Sequence, residues 1–241
     1  MTTKALVFAH YDKNGLLRSD IVDFINLAVK IFEKVIVVST NLQLDEAKKL
    51  PPNVDITIRE NVGYDFYSYR SGFLSLINQS YDLIYLINSS VVILEPDKFI
   101  DKIVNVDFDS NTLYGITNTT IVAPDTIQSY CLILPSKIYK DFRIINWWVS
   151  MPILNDKDQI IHKLEIGFSD LVKASGFSVC GIFKFHDNYN PPWIYPKELY
   201  QDIGIIKASV ITDNVYNADI SFLYDAALDS RINYILYQVT Q

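Results

Sequence analysis

The chain has 241 residues, of which 49% are hydrophobic and 20% charged, a balance typical of a globular protein with a full core. Its net charge of −7 argues against DNA or RNA as the main partner, because nucleic-acid binding needs a cationic surface that displaces counterions from phosphates. Cys131 and Cys180 are the only cysteines, and their separation fits neither a metal site nor a disulfide framework, so we expect reduced thiols.

The first half of the chain alternates strand and helix patterns. Strand patterns occur at residues 5–9, 35–39 and 54–58 and within 81–94. The first helix pattern begins at Ser19, which is the predicted N-cap. A second, short helix ends before Pro51, and a third covers residues 64–76. Because parallel strands that alternate with helices are joined by right-handed crossovers, the pattern predicts an α/β fold with a mostly parallel central sheet flanked by helices.

The second half is less regular. Residues 112–117, 129–134 and 178–185 have strand patterns, whereas a short helix starts at Pro135 and an amphipathic helix covers residues 158–174 before Gly176. Residues 147–151 and 188–193 are predicted loops. No repeat, low-complexity tract or linker divides the sequence, which indicates a single domain over residues 1–241.

The sequence indicates a cytoplasmic protein. Residues 1–4 lead directly into the first strand pattern, without the basic and apolar segments of a secretion signal. The longest apolar run, residues 83–94, is interrupted by Asn88, Ser89 and Ser90 and is too short to cross a bilayer. We therefore expect at most a peripheral association with the inner face of the membrane.

Polar clusters follow three of the predicted strands. They comprise residues 10–12, 59–65 and 88–90. Ligands of open α/β sheets bind at the carboxyl ends of the strands, so these clusters predict one shared site. Gly63 would let backbone N–H groups approach a phosphate at the start of the following helix. Asp65 and Arg70 follow in that helix, where the alternative is an ordinary first-turn acid and a surface cation.

The segment from Arg59 to Phe66 reads RENVGYDF and resembles the signature of the rhamnan-synthesis F-type proteins, a group of rhamnosyltransferase-related polysaccharide enzymes. Shorter stretches resemble other landmarks of this family between about residues 5 and 210. They are FAHYD at 8–12, YDLIYLINSS at 81–90, QSY at 128–130, Glu165, GF at 176–177, NPPW at 190–193 and GIIK at 204–207.

The resemblance implies a GT-A-like (Rossmann-like) fold, with a nucleotide-binding half at about residues 1–110 and an acceptor half at about 111–241. Tyr11 would stack a nucleotide base and Asp12 would accept its imide N–H, whereas the alternative is a simple turn after the first strand. The residues expected to bind the donor are His10, Tyr11, Asp12, Asn61, Gly63, Arg70, Asn88, Ser89 and Ser90.

The metal expected in such folds is in doubt here. The family pattern has an acidic ligand at the end of the fourth strand, where Ser89 and Ser90 stand instead, and serine is a poor ligand for a divalent cation such as Mg²⁺ or Mn²⁺. Either Arg70, a lysine or helix N–H groups neutralise the leaving group, or the site only binds. His186 is a candidate metal ligand, and the alternative is a hydrogen-bonded histidine.

The resemblance also implies a catalytic carboxylate. Glu165 matches the glutamate of the family and is the predicted general base; the alternatives are a surface glutamate, or His162 as the base. Asp65 is the second predicted catalytic residue. Trp147 and Trp148 are predicted to contact the acceptor, with core packing and contact with the membrane interface as alternatives.

Together these features predict a nucleotide-sugar-dependent hexosyltransferase. It would move a sugar, rhamnose as the first hypothesis, to a growing bacterial cell-surface polysaccharide such as O-antigen, with inversion. The acceptor would be a glycan or a lipid-linked glycan. The alternative is a non-catalytic relative that binds glycan or scaffolds a larger enzyme. The sequence lacks the GxGxxG fingerprint of dinucleotide enzymes and the GK[ST] motif of phosphate-loop NTPases.

Overall fold

The computed structural model describes residues 2–120, 125–185 and 189–241. Its strands are β1 (Lys4–His10), β2 (Lys34–Ser39), β3 (Asp55–Ile58), β4 (Leu83–Asn88), β5 (Val91–Ile93), β6 (Thr112–Gly115), β7 (Asn118–Thr119), β8 (Thr126–Ile127), β9 (Cys131–Pro135), β10 (Ser178–Gly181) and β11 (Ile205–Lys207). Its helices are α1 (Ser19–Ala28), α2 (Leu44–Ala47), α3 (Tyr64–Leu76), α4 (Pro96–Val104), α5 (Ser136–Tyr139), α6 (Phe142–Ser150), α7 (Lys157–Ile160), α8 (Gly167–Ala174), α9 (Pro191–Ile194), α10 (Pro196–Ile203), α11 (Ala208–Thr212), α12 (Phe222–Ala226) and α13 (Ser230–Val239).

A seven-stranded sheet in the order β10-β6-β9-β4-β1-β2-β3 forms the centre of the molecule. Its pairs are parallel except where β9 runs antiparallel to β4 and β6. The predicted α/β fold with a mostly parallel sheet flanked by helices is therefore confirmed. The antiparallel strand is a feature that the sequence pattern did not reveal.

Strand β1 lies at the heart of this sheet and packs on both faces. Leu6 and Phe8 join a cluster with α1 and α4, whereas Ala5 and Val7 join a second cluster with α3 and α6. Such double-sided burial explains why β1 is a continuous apolar run rather than an alternating one. The polar residues that follow β1 therefore emerge at a fixed point on the edge of the sheet.

Helix α3 packs against β1 at very short range. A Cβ atom built on Gly72 would lie 2.4 Å from Cγ1 of Val7, so only glycine fits at this crossing. The predicted bounds of α3, residues 64–76, are those observed. Close packing fixes the height of the helix over the sheet and so the position of its N-terminus.

Four local predictions were wrong. Residues 191–193 of the loop predicted at 188–193 form the start of α9. Ser19 does not cap α1: Arg18 precedes the helix without a side-chain cap, and the Ser19 hydroxyl donates to Oε1 of Gln238 at 2.7 Å. Residues 147–150 are not a loop but the end of α6. Asp141 caps the start of this helix, because its side chain accepts a hydrogen bond from the Arg143 N–H. The strand predicted at residues 178–185 ends at Gly181.

The helix predicted at residues 158–174 contains a π-helical turn over Ile161–Ile166, between α7 and α8. This turn includes Glu165. One-turn π segments are rare and often occur at functional sites, because the extra residue changes the direction in which a side chain projects.

A second, two-stranded sheet pairs β5 with β11 in antiparallel register, and Lys207 lies opposite Val91. The last three helices pack around this sheet in a third apolar cluster. This arrangement brings Lys207 to the end of β4. Within the described residues no helix is long and apolar enough to cross a membrane.

Replacing Gly72 with alanine is expected to destabilise the fold by about 1–3 kcal/mol, because the added methyl group overpacks a filled layer. Gly167→Ala is the matched control: its Cβ would meet nothing closer than the His162 carbonyl oxygen at 3.6 Å, and alanine is the better helix former. Urea denaturation compares the two variants. Equal midpoints would contradict the close packing of α3 on β1.

Candidate functional site

A cleft of about 700 Å³ opens at the carboxyl edge of the central sheet. Its walls include the ends of β1 and β4, the segment that leads into α3, and residues of α13. The predicted site residues that line it are His10, Tyr11, Asp12, Asn61, Gly63, Asp65, Ser89 and Ser90. The three polar clusters of the sequence therefore meet in one site, as strand-end geometry predicted.

Asp65 connects the start of α3 to the tip of β4. Its Oδ2 accepts a hydrogen bond of 2.8 Å from Nδ2 of Asn88. Burial raises the pKa of Asp65 to about 6, although Lys207 and Arg59 lower it and Glu165 adds to the rise. The cleft thus holds a carboxyl group that titrates close to neutral pH, as many functional acids do.

The tip of β4 holds a short network of polar groups. Oδ1 of Asn88 accepts from the Ser90 N–H at 3.0 Å and also from the Ser90 hydroxyl. Nζ of Lys207 donates to Oγ of Ser90 at 2.6 Å. An ammonium group therefore stands at the end of β4, beside Ser90.

Ser89 joins the tips of β1 and β4. Its hydroxyl accepts from the Tyr11 N–H at 3.0 Å and lies 3.2 Å from the Tyr11 carbonyl oxygen. Arg18 reinforces the same point, since it donates to the carbonyl oxygens of Ser89 and Val91 and pairs with the fully buried Asp20. Ser89 therefore holds the backbone together rather than presenting a free hydroxyl.

Arg59 holds the segment before α3. Its guanidinium donates to the carbonyl oxygens of Glu60, Val62 and Tyr64, at 2.6, 2.5 and 2.5 Å, and to Oγ of Ser68 at 2.9 Å. Burial lowers the pKa of Arg59, which nevertheless stays cationic at neutral pH.

Two successive residues of that segment have left-handed backbones. Gly63 has φ of 69°, and Tyr64, a residue type that rarely adopts this region, has φ of 51°. Helix α3 begins there without a side-chain cap. Its first N–H groups therefore carry the positive end of the helix dipole toward the cleft wall.

His10 is buried and both of its ring nitrogens are occupied. Nδ1 lies 2.9 Å from Oγ of Ser39, and Nε2 lies 3.0 Å from the Leu16 carbonyl oxygen. Because a carbonyl can only accept, Nε2 carries the proton. Burial lowers the pKa of His10, so the neutral ring ties β1 to β2 and to the following turn.

Tyr11 and Asp12 differ in what they offer to a ligand. Tyr11 is 51% exposed in the cleft, with an aromatic face that can stack on a base. Oδ1 of Asp12 accepts hydrogen bonds from the N–H groups of Asn14 and Leu16. Asp12 therefore stabilises a turn after β1, which was the alternative to a contact with the base.

Glu165 lies beside the cleft, close enough to Asp65 and Lys207 to affect the pKa of both. Its Oε2 accepts hydrogen bonds from the Ser129 N–H at 2.9 Å and from the Ser129 hydroxyl. Tyr69 supports Ser129 in turn, because its hydroxyl donates to the Ser129 carbonyl oxygen at 2.8 Å. By contrast, His162 is exposed on the surface.

Five predicted site residues do not line the cleft: Asn88 and Glu165 lie beside it, and Arg70, Trp147 and Trp148 make their contacts elsewhere. Arg70 donates instead to the carbonyl oxygens of Trp148 and Val149, at 2.8 and 3.0 Å, at the end of α6. Trp148 is fully buried. Trp147 is half-buried and packs against Phe168 with 4.9 Å between ring centroids. Both indoles therefore pack in the core, which was the alternative to a contact with the acceptor, because α6 directs them toward α3 and α8.

The tip of β4 does not fit a divalent cation. The side-chain oxygens of Asn88, Ser89 and Ser90 are engaged in hydrogen bonds, and the ammonium of Lys207 would repel a second cation. No group of three or more His, Cys, Asp or Glu side chains with metal-binding geometry occurs in the described parts of the chain. The candidate ligand His186 lies outside the described residues.

Sequence reasoning missed Lys207, Arg18 and Asn155. Lys207 appeared only in the family landmark GIIK, and the available signal was a lysine at the end of a short apolar strand. Arg18 and Asn155 line the cleft from segments with no motif, and Asn155 lies 3.4 Å from the Gly63 N–H.

A family model described as rhamnan synthesis protein F matches residues 35–222 of the sequence. This stretch covers most of the chain and includes the 59–66 segment. The chain belongs to the rhamnan synthesis protein F family. The resemblance inferred from RENVGYDF is thereby confirmed.

This rhamnan synthesis protein F chain is also similar to one curated protein in sequence and to several solved structures in fold. The uncharacterized protein y4gN of Sinorhizobium fredii is 27% identical over 182 residues, 73% of this chain and 48% of that protein, so the chain spans about half of its length. The galactosyltransferase LgtC, solved with donor and acceptor sugar analogs, aligns with a TM-score of 0.51 and 13% identity over 98% of this chain and 96% of that one. Bifunctional IspDF from Campylobacter jejuni aligns with a TM-score of 0.41 and 12% identity over 85% and 55%. At 13% identity, the likeness to LgtC shows the fold alone.

Arg59→Lys is expected to lower the free energy of unfolding by about 1–3 kcal/mol, since lysine keeps the charge but cannot make the four hydrogen bonds of the guanidinium. It should also weaken nucleotide binding, because the segment loses its clamp. Arg143→Lys, at an ion pair with Asp141 in which the arginine side chain is 41% exposed, is the comparison variant and should lower the midpoint less than Arg59→Lys. Chemical denaturation measures the stability, and calorimetry measures nucleotide binding. An Arg59→Lys variant with the stability and nucleotide affinity of the wild type would contradict the role of Arg59 in holding this segment.

Proposed function

We propose that the chain is a glycosyltransferase that moves a sugar from a nucleotide-sugar donor to a growing bacterial cell-surface polysaccharide, with rhamnose as the first candidate. Residues 1–110 would form the nucleotide-binding half and residues 111–241 the acceptor half of one domain. Membership of the rhamnan synthesis protein F family supports a role in polysaccharide synthesis. A cytoplasmic location and a lipid-linked acceptor stay predictions from the sequence.

The observation that carries the proposal is the position of Asp65 in the cleft, between the start of α3 and the tip of β4. A nucleotide base stacked on the exposed Tyr11 would lie at the tip of β1. The diphosphate would then run toward the N-terminus of α3 and the tip of β4, where partial and full positive charges favour it. This direction brings the sugar to Asp65.

Two carboxylates divide the proposed chemistry. Asp65 would accept a hydrogen bond from a hydroxyl of the donor sugar. Glu165, held at Oε2 by Ser129, would accept the proton of the attacking acceptor hydroxyl. The acceptor oxygen bonds to the anomeric carbon as the bond from that carbon to phosphate oxygen breaks, and the electron pair leaves with the diphosphate. A single displacement of this kind inverts the anomeric centre.

Asp65→Asn and Glu165→Gln are each expected to slow transfer by about 10²–10⁴-fold, the usual contribution of a positioned acid or base. The assay measures sugar transfer from dTDP-rhamnose and other nucleotide sugars to a glycan acceptor. Asp170→Asn, an exposed acid on α8, is the control and should keep the wild-type rate. Melting temperatures should stay near that of the wild type.

Wild-type rates in either site variant would remove that residue from the mechanism. A folded wild-type protein that turns over no donor would remove the enzyme proposal. The glycan-binding or scaffolding alternative would then stand, and the serines at the tip of β4 are the observation that favours it.

The acid side of the pH profile provides a separate test. Asp65 must be ionised to accept a hydrogen bond from the sugar, and its pKa is about 6. Transfer at low donor concentration should therefore fall as the pH drops through this value. A ¹³C NMR carboxyl signal that titrates near pH 6 and is absent in Asp65→Asn would assign the loss of activity at acid pH to Asp65. A profile that stays flat to about pH 5 would contradict the role of Asp65.

A further inference from the structure

Lys207 is a half-buried cation that is largely unpartnered. Its Nζ donates to Oγ of Ser90 at 2.6 Å and lies over the rings of Tyr130 and Trp193, 4.8 and 5.5 Å from their centroids. Among the residues that the structure describes, no carboxylate oxygen lies within 4.0 Å of Nζ. One hydrogen bond uses only part of the capacity of an ammonium, which has three donors.

Such an arrangement is costly for the folded protein. Removal of an ammonium from water is unfavourable unless hydrogen bonds and opposite charge replace the lost hydration. The two aromatic faces offset part of this cost. Asp65 and Glu165 attract the ammonium from a distance without forming an ion pair with it. The geometry is that of a site prepared for an anion.

Lys207 lies next to the cleft through its contact with Ser90, whereas the cations that line the cleft itself are already committed to other partners. Arg18 makes four hydrogen bonds, two with Asp20 and two with backbone carbonyls. Arg59 makes four with the segment before α3 and Ser68. Lys13 donates to the carbonyl oxygen of Gln241 in an exposed position. Lys207 therefore combines burial with free donors in a way that these three side chains do not.

We infer that Lys207 contacts the diphosphate of the nucleotide-sugar donor and supplies, at the tip of β4, the positive charge that stabilises the leaving group. The inference rests on the proposed function and adds a catalytic residue to it. When the bond from the anomeric carbon to phosphate oxygen breaks, the electron pair stays on that oxygen. The ammonium offers it a hydrogen bond and a full charge. Transfer then needs no divalent cation at the tip of β4.

The charge of Lys207 depends on pH. Burial and Lys157 lower its pKa, whereas Glu165 and Asp65 raise it, and the result is about 8. The hydroxyl of Tyr130 is held by Thr117 and stays neutral in this range. Since only the protonated amine binds an anion, affinity for a nucleoside diphosphate should fall as the pH rises through about 8.

The experiment compares Lys207→Met, which keeps the apolar stem, with Lys207→Arg and with Lys98→Met. Lys98 is the matched control because it also lies over a tyrosine ring, that of Tyr200 at 5.9 Å, but on α4 outside the cleft. Binding of dTDP and UDP is measured by calorimetry in excess EDTA, and sugar transfer is measured with EDTA or with Mn²⁺. Thermal melting reports on folding.

Wild-type transfer should persist in EDTA. Lys207→Met should lower kcat by about 10²–10³-fold, the usual effect of removing one donor to a developing anion, and weaken diphosphate binding about tenfold or more. Lys207→Arg should retain part of the activity and part of the diphosphate affinity. Lys98→Met should have the kcat and the diphosphate affinity of the wild type. If Lys207→Met does not fold, weaker wild-type dTDP binding above about pH 8 supports the inference and a flat profile overturns it.

Transfer that stops in EDTA and returns with Mn²⁺, or a Lys207→Met variant that binds dTDP as tightly as the wild type, would overturn the inference while the transferase proposal stands. Conversely, if no donor is turned over, the transferase proposal fails. Binding of dTDP in EDTA that depends on Lys207 would then still support the diphosphate contact.

Discussion

The parallel pairing of β1 with both β2 and β4 is the constraint on which the site depends. Because β1 is buried on both faces, its register with each neighbour is fixed, and His10, Ser39 and Asn88 end at one edge of the sheet. Hydrogen bonds then lock these ends together: His10 contacts Ser39, and Ser89 contacts the backbone of Tyr11. The floor of the cleft is therefore as rigid as the core beneath it.

The chemistry of the cleft comes from groups supplied by separate parts of the fold. Asp65 enters on α3, Glu165 on a π-helical turn, and Lys207 at the end of a strand in the second sheet. Each of them shifts the pKa of at least one of the others. The raised pKa of the Asp65 carboxyl and the lowered pKa of the Lys207 amine both result mainly from burial, and such shifts are typical of functional sites.

Much of the polar sequence around the cleft serves to hold the backbone. Arg59 satisfies three carbonyl oxygens of a segment with two left-handed residues, and Arg18 does the same at the tip of β4. Both cations line the cleft but are occupied by backbone carbonyl oxygens. A prepared backbone of this kind lowers the entropic cost of ordering a flexible donor.

The sequence by itself determined the α/β fold, the bounds of α3, the family and the meeting of three polar clusters, because burial patterns and strand ends are local properties. It did not distinguish free side chains from occupied ones. Arg70 and Trp148 looked like ligand contacts but pack at α6, and Lys207 carried no motif of its own. Only the tertiary structure decided these roles, since a side chain's hydrogen-bond partners and burial depend on residues far away in the chain.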